Sequence, residues 1–577
     1  MSSPFTADDR VKSTIWGKVF GSRADDDVLV WRGIPYGATP IGALRWRAPR
    51  APAAWGELDA TIPAPCAPQI QVFPGPASRG VPVGTLIGDE DCLHLTIWSP
   101  RSAPPPQGRP VLVWFHGGGN LSGDGEAIDA RHLALEGDLV VVSVTHRLGI
   151  LGWFSHDALA GSDASAEDRS GNFATLDHIA ALSWIRDCIA DFGGDPARVT
   201  IAGQSSGGWN VRALLCSPLA VGLFHRAIVQ SVGSFQLMSG PHGMALADDT
   251  PAGHPLSANE LLRSLWLMDG LSGDADQVGE AVRNTPAELI EQDLRSRTLK
   301  ALFSALRLTQ KRNARLVSEE AETLRNSRKP PSMFADGHVL RDEICSHVPI
   351  IVGATRSEDR AFLSSNPTFV STLFGSTISR DPARYARLAD ALAELNWSTA
   401  VHDTADAFNR AGMAVHAYRF DWDQLVDSPG ADVRALVGAC HGVELPFLFG
   451  TTELTPDVVA MAHLFDLDQP GARALSRAVM QYWSDFAHSA PLGTGDLPSW
   501  PAWNGGDYLV LDEPEAGGIR VRRDSQPSDA AFDALLRGFD GRDAATGATL
   551  AQDVAAHGNA RLTSRQRGEL AAFADRK

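Results

Sequence analysis

The pentapeptide Gly-Gln-Ser-Ser-Gly at residues 203–207 constrains the fold more than any other feature of the chain. It ends the apolar run Val199–Ala202 and precedes a helix-compatible stretch, 209–215. A strand that turns into a helix within one residue strains that residue, and glycines on both sides leave room for the close approach. The pattern predicts that Ser205 is a nucleophile raised above a helix N-terminus. The alternative is an ordinary turn serine, since 54 glycines also produce such spacings by chance.

Composition excludes several classes of protein. Of 577 residues, 44% are hydrophobic and 21% are charged, which is typical of a globular chain. A net charge of −18 argues against a nucleic-acid partner and is explained more simply by solubility. No uninterrupted apolar run is long enough to span a membrane. The polar, acidic start at Met1–Arg10 lacks signal-peptide features, which predicts a cytoplasmic protein, or a secreted one if a leader was removed.

The cysteines indicate neither a disulfide scaffold nor a metal site. Six cysteines are too few to hold a chain of this length together through disulfides. None follows the Cys-x-x-Cys or Cys/His spacings of zinc sites, so we predict no bound metal. The six are Cys66, Cys92, Cys188, Cys216, Cys345 and Cys440.

Extended and helical segments alternate through the first half of the chain. Short β-branched, apolar runs bounded by glycine or proline predict strands, and a helical periodicity covers Leu176–Phe192. This alternation predicts an α/β fold with a largely parallel central sheet flanked by helices. The predicted strands are Pro110–Phe115, Leu139–Thr145, Arg198–Ala202, Arg226–Gln230, Val348–Val352 and Ala414–Phe420.

The organisation of the chain predicts one large domain with insertions. Charged helical segments such as Ala301–Arg325 replace strands at about 240–345, and a second helical insertion is expected at about 360–410. We expect both to cap the sheet of a single domain over residues 1–540. Residues 541–577 form a polar, alanine-rich, helix-prone extension without an assignable role.

Seven motifs resemble, in order, the type B carboxylesterase family, the carboxylesterase/cholinesterase branch of the α/β-hydrolases. Among its members the chain resembles the bacterial para-nitrobenzyl-esterase-like enzymes, and the resemblance extends from about residue 14 to about residue 535. It implies an α/β-hydrolase fold with helical caps and no cofactor. The motifs are Trp-Arg-Gly-Ile-Pro-Tyr-Gly at 31–37, Leu-Arg-Trp at 44–46, Glu-Asp-Cys-Leu at 90–93, Phe-His-Gly-Gly-Gly at 115–119, Gly-Asn at 171–172, Phe-Gly-Gly-Asp-Pro at 192–196 and the pentapeptide at 203–207.

The order of the chain selects the partners of Ser205, because triads of this fold run serine, acid, histidine. Glu358 follows the predicted strand at 348–352 and matches the family's acid motif, whereas His441 matches its histidine motif. His441 is therefore expected to act as base and then acid, while Glu358 orients it and stabilises its cation. The alternatives are a solvated loop charge for Glu358 and a buried structural histidine for His441.

Backbone amides are expected to bind the oxyanion that forms during attack. The N–H groups of Gly118, Gly119 and Ser206 are the predicted donors of this oxyanion hole, because glycines let a loop approach the substrate closely. His116 is expected to brace the loop. A simple glycine turn is the alternative explanation.

Other matched residues are interpreted as structural. The resemblance implies two ion pairs, Arg45 with Glu90 and Arg147 with Asp177. It also matches Cys66 and Cys92 to the family's first disulfide loop, although a reducing cytoplasm leaves that bond open. Gln204 and Ser206 stand where the family usually has glutamate and alanine. We expect Gln204 to form a hydrogen bond, with Glu444 through a water as one candidate partner.

The sequence thus predicts a serine carboxylesterase that cleaves small-molecule esters through an acyl-enzyme intermediate. A carbamate or amide hydrolase using the same triad is the alternative, and a non-catalytic cholinesterase-like binding protein is a more distant one. We expect no nucleic-acid or membrane partner, and a monomer or homodimer.

Overall fold

A computed structural model describes most of the chain. An eleven-stranded sheet forms its centre in these residues. Its strands in chain order are β1 (Ser22–Arg23), β2 (Val28–Pro35), β3 (His94–Pro100), β4 (Arg109–Phe115), β5 (Val140–Thr145), β6 (Gly194–Gln204), β7 (Arg226–Gln230), β8 (Ile350–Thr355), β9 (Val415–Phe420), β10 (Asp507–Leu511) and β11 (Arg520–Arg523). The residues described are 9–72, 81–161, 164–233, 237–271, 275–314, 329–373, 376–426, 432–452, 462–524, 527–540, 542, 544–558 and 562–574.

The strand order across the sheet is β11-β10-β9-β8-β7-β6-β4-β5-β3-β2-β1. Across the sheet, from β5 through β4 and β6 to β10, each strand pairs in parallel with the next. Strands β1, β2, β3 and β11 add antiparallel edges. This arrangement confirms the predicted largely parallel α/β sheet. Strand β6 begins four residues before its predicted start, and its pairing with β4 shifts register between Gly194 and Val199. The predicted strand at 348–352 begins instead at Ile350 and extends to Thr355.

Both faces of the sheet are buried under helices. Alternate residues of β4 point to opposite faces, with Val111 and Val113 in one apolar cluster and Leu112 and Trp114 in the other. Two long helices, Phe173–Cys188 and Pro470–His488, cover the two clusters. The other α-helices of the described core are Arg131–Glu136, Gly149–Gly152, Ala166–Arg169, Ser206–Leu215, Val433–Leu436 and Leu445–Phe449.

The two inserted regions are largely helical. The segment predicted to be helical from Ala301 begins at Leu299 and forms a helix to Arg312, and its remainder falls mostly outside the described residues. In the second region a hairpin, Val370–Leu373 with Ser376–Ser379, interrupts the helices, a feature that the prediction of a helical insertion missed. The α-helices of these regions are Gly240–Met244, Ala258–Met268, Ala275–Asn284, Ala287–Ser296, Leu299–Arg312, Arg360–Leu363, Pro382–Asn396 and Asp403–Arg410.

The C-terminal region forms three helices that pack against the second insertion. Leu388 and Leu392 share one apolar cluster with Val554 and Leu570. Arg384 adds a bidentate ion pair to Asp553, with the shorter N–O distance at 2.6 Å. These helices therefore cover an apolar helix face that the insertion would otherwise expose. They are Ser528–Asp540, Ala544–Gly558 and Ser564–Ala574, of which the last two lie in the predicted extension 541–577.

The residues interpreted as structural have the following partners. Arg45 binds Glu90 and Arg147 binds Asp177, each through a buried bidentate pair with a shortest N–O distance of 2.6 Å. Cys66 and Cys92 are not joined by a disulfide.

Within the described ranges, no helix is long and apolar enough to cross a bilayer.

Candidate active site

Ser205 lies at the turn between β6 and the helix Ser206–Leu215, which we call the elbow helix. Its backbone has φ 58° and ψ −124°, a strained conformation for a residue with a side chain. A Cβ atom on Gly207 would lie 2.0 Å from the carbonyl oxygen of Phe115, and one on Gly203 would lie 2.4 Å from the carbonyl carbon of Gly207. Only glycine fits at either position. Strand β6, the elbow helix and the end of β4 can therefore approach each other closely, which places the Ser205 side chain at the carboxyl edge of the sheet.

Glu358 and His441 contact each other, although 83 residues separate them. Glu358 lies in the turn after β8, where its Oε1 accepts hydrogen bonds from the Thr355 N–H at 2.7 Å and the Thr355 hydroxyl at 2.9 Å. Its Oε2 accepts a short hydrogen bond from Nδ1 of His441. The Ser357 N–H donates to the Ala439 carbonyl at 2.9 Å, which joins the two loops. The carboxylate thus fixes both the orientation and the tautomer of the imidazole.

Gln204 contacts Nε2, the second nitrogen of the His441 imidazole. Its Nε2 lies 3.2 Å from Nε2 of His441, and because an amide nitrogen only donates, the imidazole nitrogen accepts. The expectation that Gln204 forms a hydrogen bond is met, but its direct partner is His441 and not Glu444. In the described part of the chain, no hydrogen bond joins the Ser205 hydroxyl to His441. Catalytic hydrogen bonds are often long or poorly aligned before substrate binds.

A second carboxyl group lies behind the Glu358–His441 pair. Ser231, directly after β7, donates from its hydroxyl to Oε1 of Glu444 at 3.1 Å. Burial and the nearby charge of Glu358 raise the pKa of Glu444 to about 7. Burial also acts to raise the pKa of Glu358, but His441, Ser231 and Thr355 outweigh it and lower that pKa to about 2. One carboxyl is therefore ionised at neutral pH, while its neighbour holds a proton up to about pH 7.

The glycine loop after β4 lies beside Ser205. A Cβ atom on Gly117 would lie 3.3 Å from the Cβ of Ser205, which shows how close the two segments are. Gly118 and Gly119 have φ 103° and 68°, so their peptide groups adopt directions that other residues rarely allow. Ser206 begins the elbow helix, whose first N–H groups have no partner within the helix. Donors from two segments can therefore converge near the Ser205 hydroxyl.

His116 holds the start of the glycine loop in place. Its Nδ1–H donates to the Gly117 carbonyl at 2.8 Å, and its ring stacks on His146 with 4.5 Å between centroids. Asn120, at the far end of the loop, accepts from Asn210 of the elbow helix at 3.1 Å. These contacts hold the loop against the elbow helix.

Sequence reasoning missed two residues at the site. Ser231 follows the carboxyl end of a parallel strand, an edge where functional groups collect, and this signal could have identified it. Lys329 belongs to no motif, yet its ammonium group lies beside Gly119. Phe362, in the short helix Arg360–Leu363, places its ring 5.5 Å from that of His441. In the described residues, no cluster of His, Cys, Asp or Glu is suited to hold a metal ion.

Comparison with known proteins identifies the family. The model of the carboxylesterase family matches residues 8–372 and 376–529. A phenmedipham hydrolase of Pseudarthrobacter oxydans is 32% identical over 542 residues, covering 87% of this chain and 95% of the relative. A para-nitrobenzyl esterase of Bacillus subtilis is 30% identical over 534 residues, with the same coverage. A solved carboxylesterase of Geobacillus stearothermophilus, 27% identical, aligns with a TM-score of 0.64 over 91% of this chain and 99% of its own. The chain belongs to the carboxylesterase family.

Proposed function

We propose that this protein is a serine carboxylesterase in which Ser205, His441 and Glu358 form the catalytic triad. The observation that carries the proposal is the contact between the Glu358 carboxylate and the His441 imidazole, beside a serine held in a strained turn. The membership of the carboxylesterase family supports the ester-hydrolase activity. A carboxylate on one imidazole nitrogen leaves the other nitrogen as a base, which a serine hydroxyl requires at neutral pH.

In the proposed reaction, the Ser205 hydroxyl attacks the ester carbonyl and its proton passes to Nε2 of His441. The imidazolium then protonates the leaving alcohol, which releases it and leaves an acyl-enzyme. Water, deprotonated by the same nitrogen, attacks the acyl group and releases the acid. Because Gln204 donates to this nitrogen before substrate binds, its amide must give way to the Ser205 hydroxyl.

The N–H groups of Gly118, Gly119 and Ser206 are proposed to bind the oxyanion. They belong to the glycine loop and the elbow helix, which Asn120 and Asn210 join. Fixed donors of this kind need no reorganisation as charge develops, and losing one typically costs about 3 kcal/mol of transition-state stabilisation. The donors are backbone groups, so Ser206 serves in this role as well as alanine does.

A carbamate or amide hydrolase using the same triad is the second candidate. The similarity to a relative named phenmedipham hydrolase is the reason to compare carbamates with esters as substrates. Rates on an ester, a carbamate and an anilide that share one acyl or leaving group would separate the two candidates. A cytoplasmic location and a monomeric or homodimeric state remain predictions from the sequence.

The proposal is tested by replacing the nucleophile. Ser205→Ala should reduce p-nitrophenyl acetate turnover at least about 10³-fold, because no other group can form the acyl-enzyme. Ser13→Ala, an exposed serine far along the chain from the site, is the matched control and should retain the wild-type rate. Wild-type turnover by folded Ser205→Ala would refute the assignment.

A further inference from the structure

Lys329 brings a positive charge to the proposed oxyanion loop. A Cβ atom on Gly119 would lie 2.7 Å from the Nζ of Lys329 and 3.4 Å from its Cε. The ammonium group therefore lies against the backbone of one predicted oxyanion donor. Nothing in the catalytic steps proposed above uses it.

An aromatic ring of the elbow helix holds this ammonium group. The Nζ atom lies 5.5 Å from the ring centroid of Trp209, within the range of a cation–π interaction. The backbone N–H of Trp209 donates to the Ser205 carbonyl at 3.1 Å, within the first turn of the elbow helix. Lys329 is half-buried, so its charge is screened less than that of a lysine in open solvent. The charge is thus held in a defined position relative to Ser205.

The groups around Ser205 carry little opposing negative charge. Gln204 is uncharged at a position where the family usually has a glutamate. Glu444, with its pKa raised by burial and by Glu358 to about 7, is largely protonated below that pH. Glu358 is ionised, but its carboxylate is buried and its two oxygens accept hydrogen bonds from Thr355 and His441. An anionic group approaching Ser205 would therefore meet the Lys329 ammonium without a matching repulsion.

We propose that Lys329 is a specificity residue that favours esters carrying a carboxylate close to the scissile bond. An ammonium group has three N–H donors, so it can bind a substrate carboxylate in addition to its existing contacts. The inference rests on the proposed esterase function and names the substrate class of that same site. The carboxylate can lie on either the acyl or the alcohol side of the ester, because both kinds of substrate present the same anionic group.

The test compares matched pairs of esters that differ in this charge. On the acyl side, p-nitrophenyl hemiglutarate is compared with p-nitrophenyl valerate. On the alcohol side, 4-acetoxybenzoate is compared with 4-methylphenyl acetate. The measured quantity is the ratio of kcat/KM for the charged ester to that for the neutral ester, with active sites counted by organophosphate titration so that misfolded enzyme does not contribute.

In at least one pair, Lys329→Gln should lower this ratio about tenfold, and Lys329→Arg should restore most of it. The effect should shrink as salt rises, because screening weakens the attraction. Lys311→Gln makes the same charge change at an exposed helical position and should leave the ratio unaltered. The pair that responds identifies the side of the ester on which the carboxylate binds.

Two results would overturn the inference. One is a ratio that Lys329→Gln leaves within about twofold of wild type in both pairs. The other is an equal fall for charged and neutral esters, which would mean that Lys329 supports the loop or the oxyanion and not selectivity. Wild-type enzyme that hydrolyses none of the four esters would instead refute the proposed function, and the inference with it.

Discussion

Replacing Glu444 with glutamine should stabilise the protein in a pH-dependent manner. The carboxyl group is only 2% exposed, and its Oε1 accepts from the Ser231 hydroxyl. Burial and the Glu358 charge raise its pKa from 4.5 to about 7. Because the folded state holds this proton more tightly than the unfolded chain, the protonated carboxyl stabilises the fold fully below about pH 4.5. That contribution is lost as pH rises to about 7.

The difference between the pKa of 4.5 and that of about 7 corresponds to a loss of about 3 kcal/mol in the free energy of unfolding. Glutamine does not titrate and keeps an oxygen that can accept from Ser231, so Glu444→Gln avoids the loss. With the unfolding entropy expected for a chain of this length, about 3 kcal/mol corresponds to a Tm difference of about 2–3 °C. The difference in Tm between Glu444→Gln and wild type should therefore widen by this amount between pH 4.5 and pH 8.

Differential scanning fluorimetry across this pH range at constant ionic strength provides the measurement. Glu136→Gln, which removes an exposed carboxylate, is the control for the change in net charge. A difference for Glu444→Gln that stays constant across this range, or that changes no more than the control's, would refute the reasoning. So would a variant that loses stability relative to wild type as pH rises.

Three further predictions concern Gln204, Gly207 and the Arg147–Asp177 ion pair. Gln204→Glu places a negative charge beside His441 and favours its cation, so the acidic limb of the kcat/KM–pH profile should move to higher pH; an unmoved limb would contradict the contact. Gly207→Ala should abolish activity and soluble expression, because its Cβ would lie 2.0 Å from a carbonyl oxygen; an active, soluble variant would exclude the close crossing. Arg147→Met leaves Asp177 buried and unpaired and should cost about 3–5 kcal/mol in urea unfolding, whereas Arg147→Met with Asp177→Leu should recover much of it.

Local features of the fold could be predicted from the sequence. The turn at Ser205 follows from a strand, two glycines and a helix within a few residues, and the structure shows why glycine is needed at 203 and 207. Six of the seven parallel strands of the described sheet were predicted because each is a short apolar run bounded by turn residues, whereas β10 was not predicted. The hairpin at 370–379 was missed because its polar and β-branched residues lie inside a region that otherwise reads as helical.

Contacts between distant side chains were predictable only where the family resemblance supplied them. Glu358 and His441 were paired through the serine, acid, histidine order, and the structure brings them into contact. No such rule applied to Lys329, whose position beside Gly119 depends on how the insertion folds over the sheet. The direct partner of Gln204, His441, was not predicted for a related reason: the direction of a side chain at a turn depends on the packed site and not on the local sequence.

The central claim is that Ser205 is the nucleophile and that His441 activates it. Peptide mass spectrometry after reaction with a p-nitrophenyl phosphonate tests this most directly. We expect one phosphonyl group per chain, attached to Ser205, and much slower labelling in His441→Ala. A label on another residue, or no label on an enzyme that still hydrolyses esters, would contradict the account.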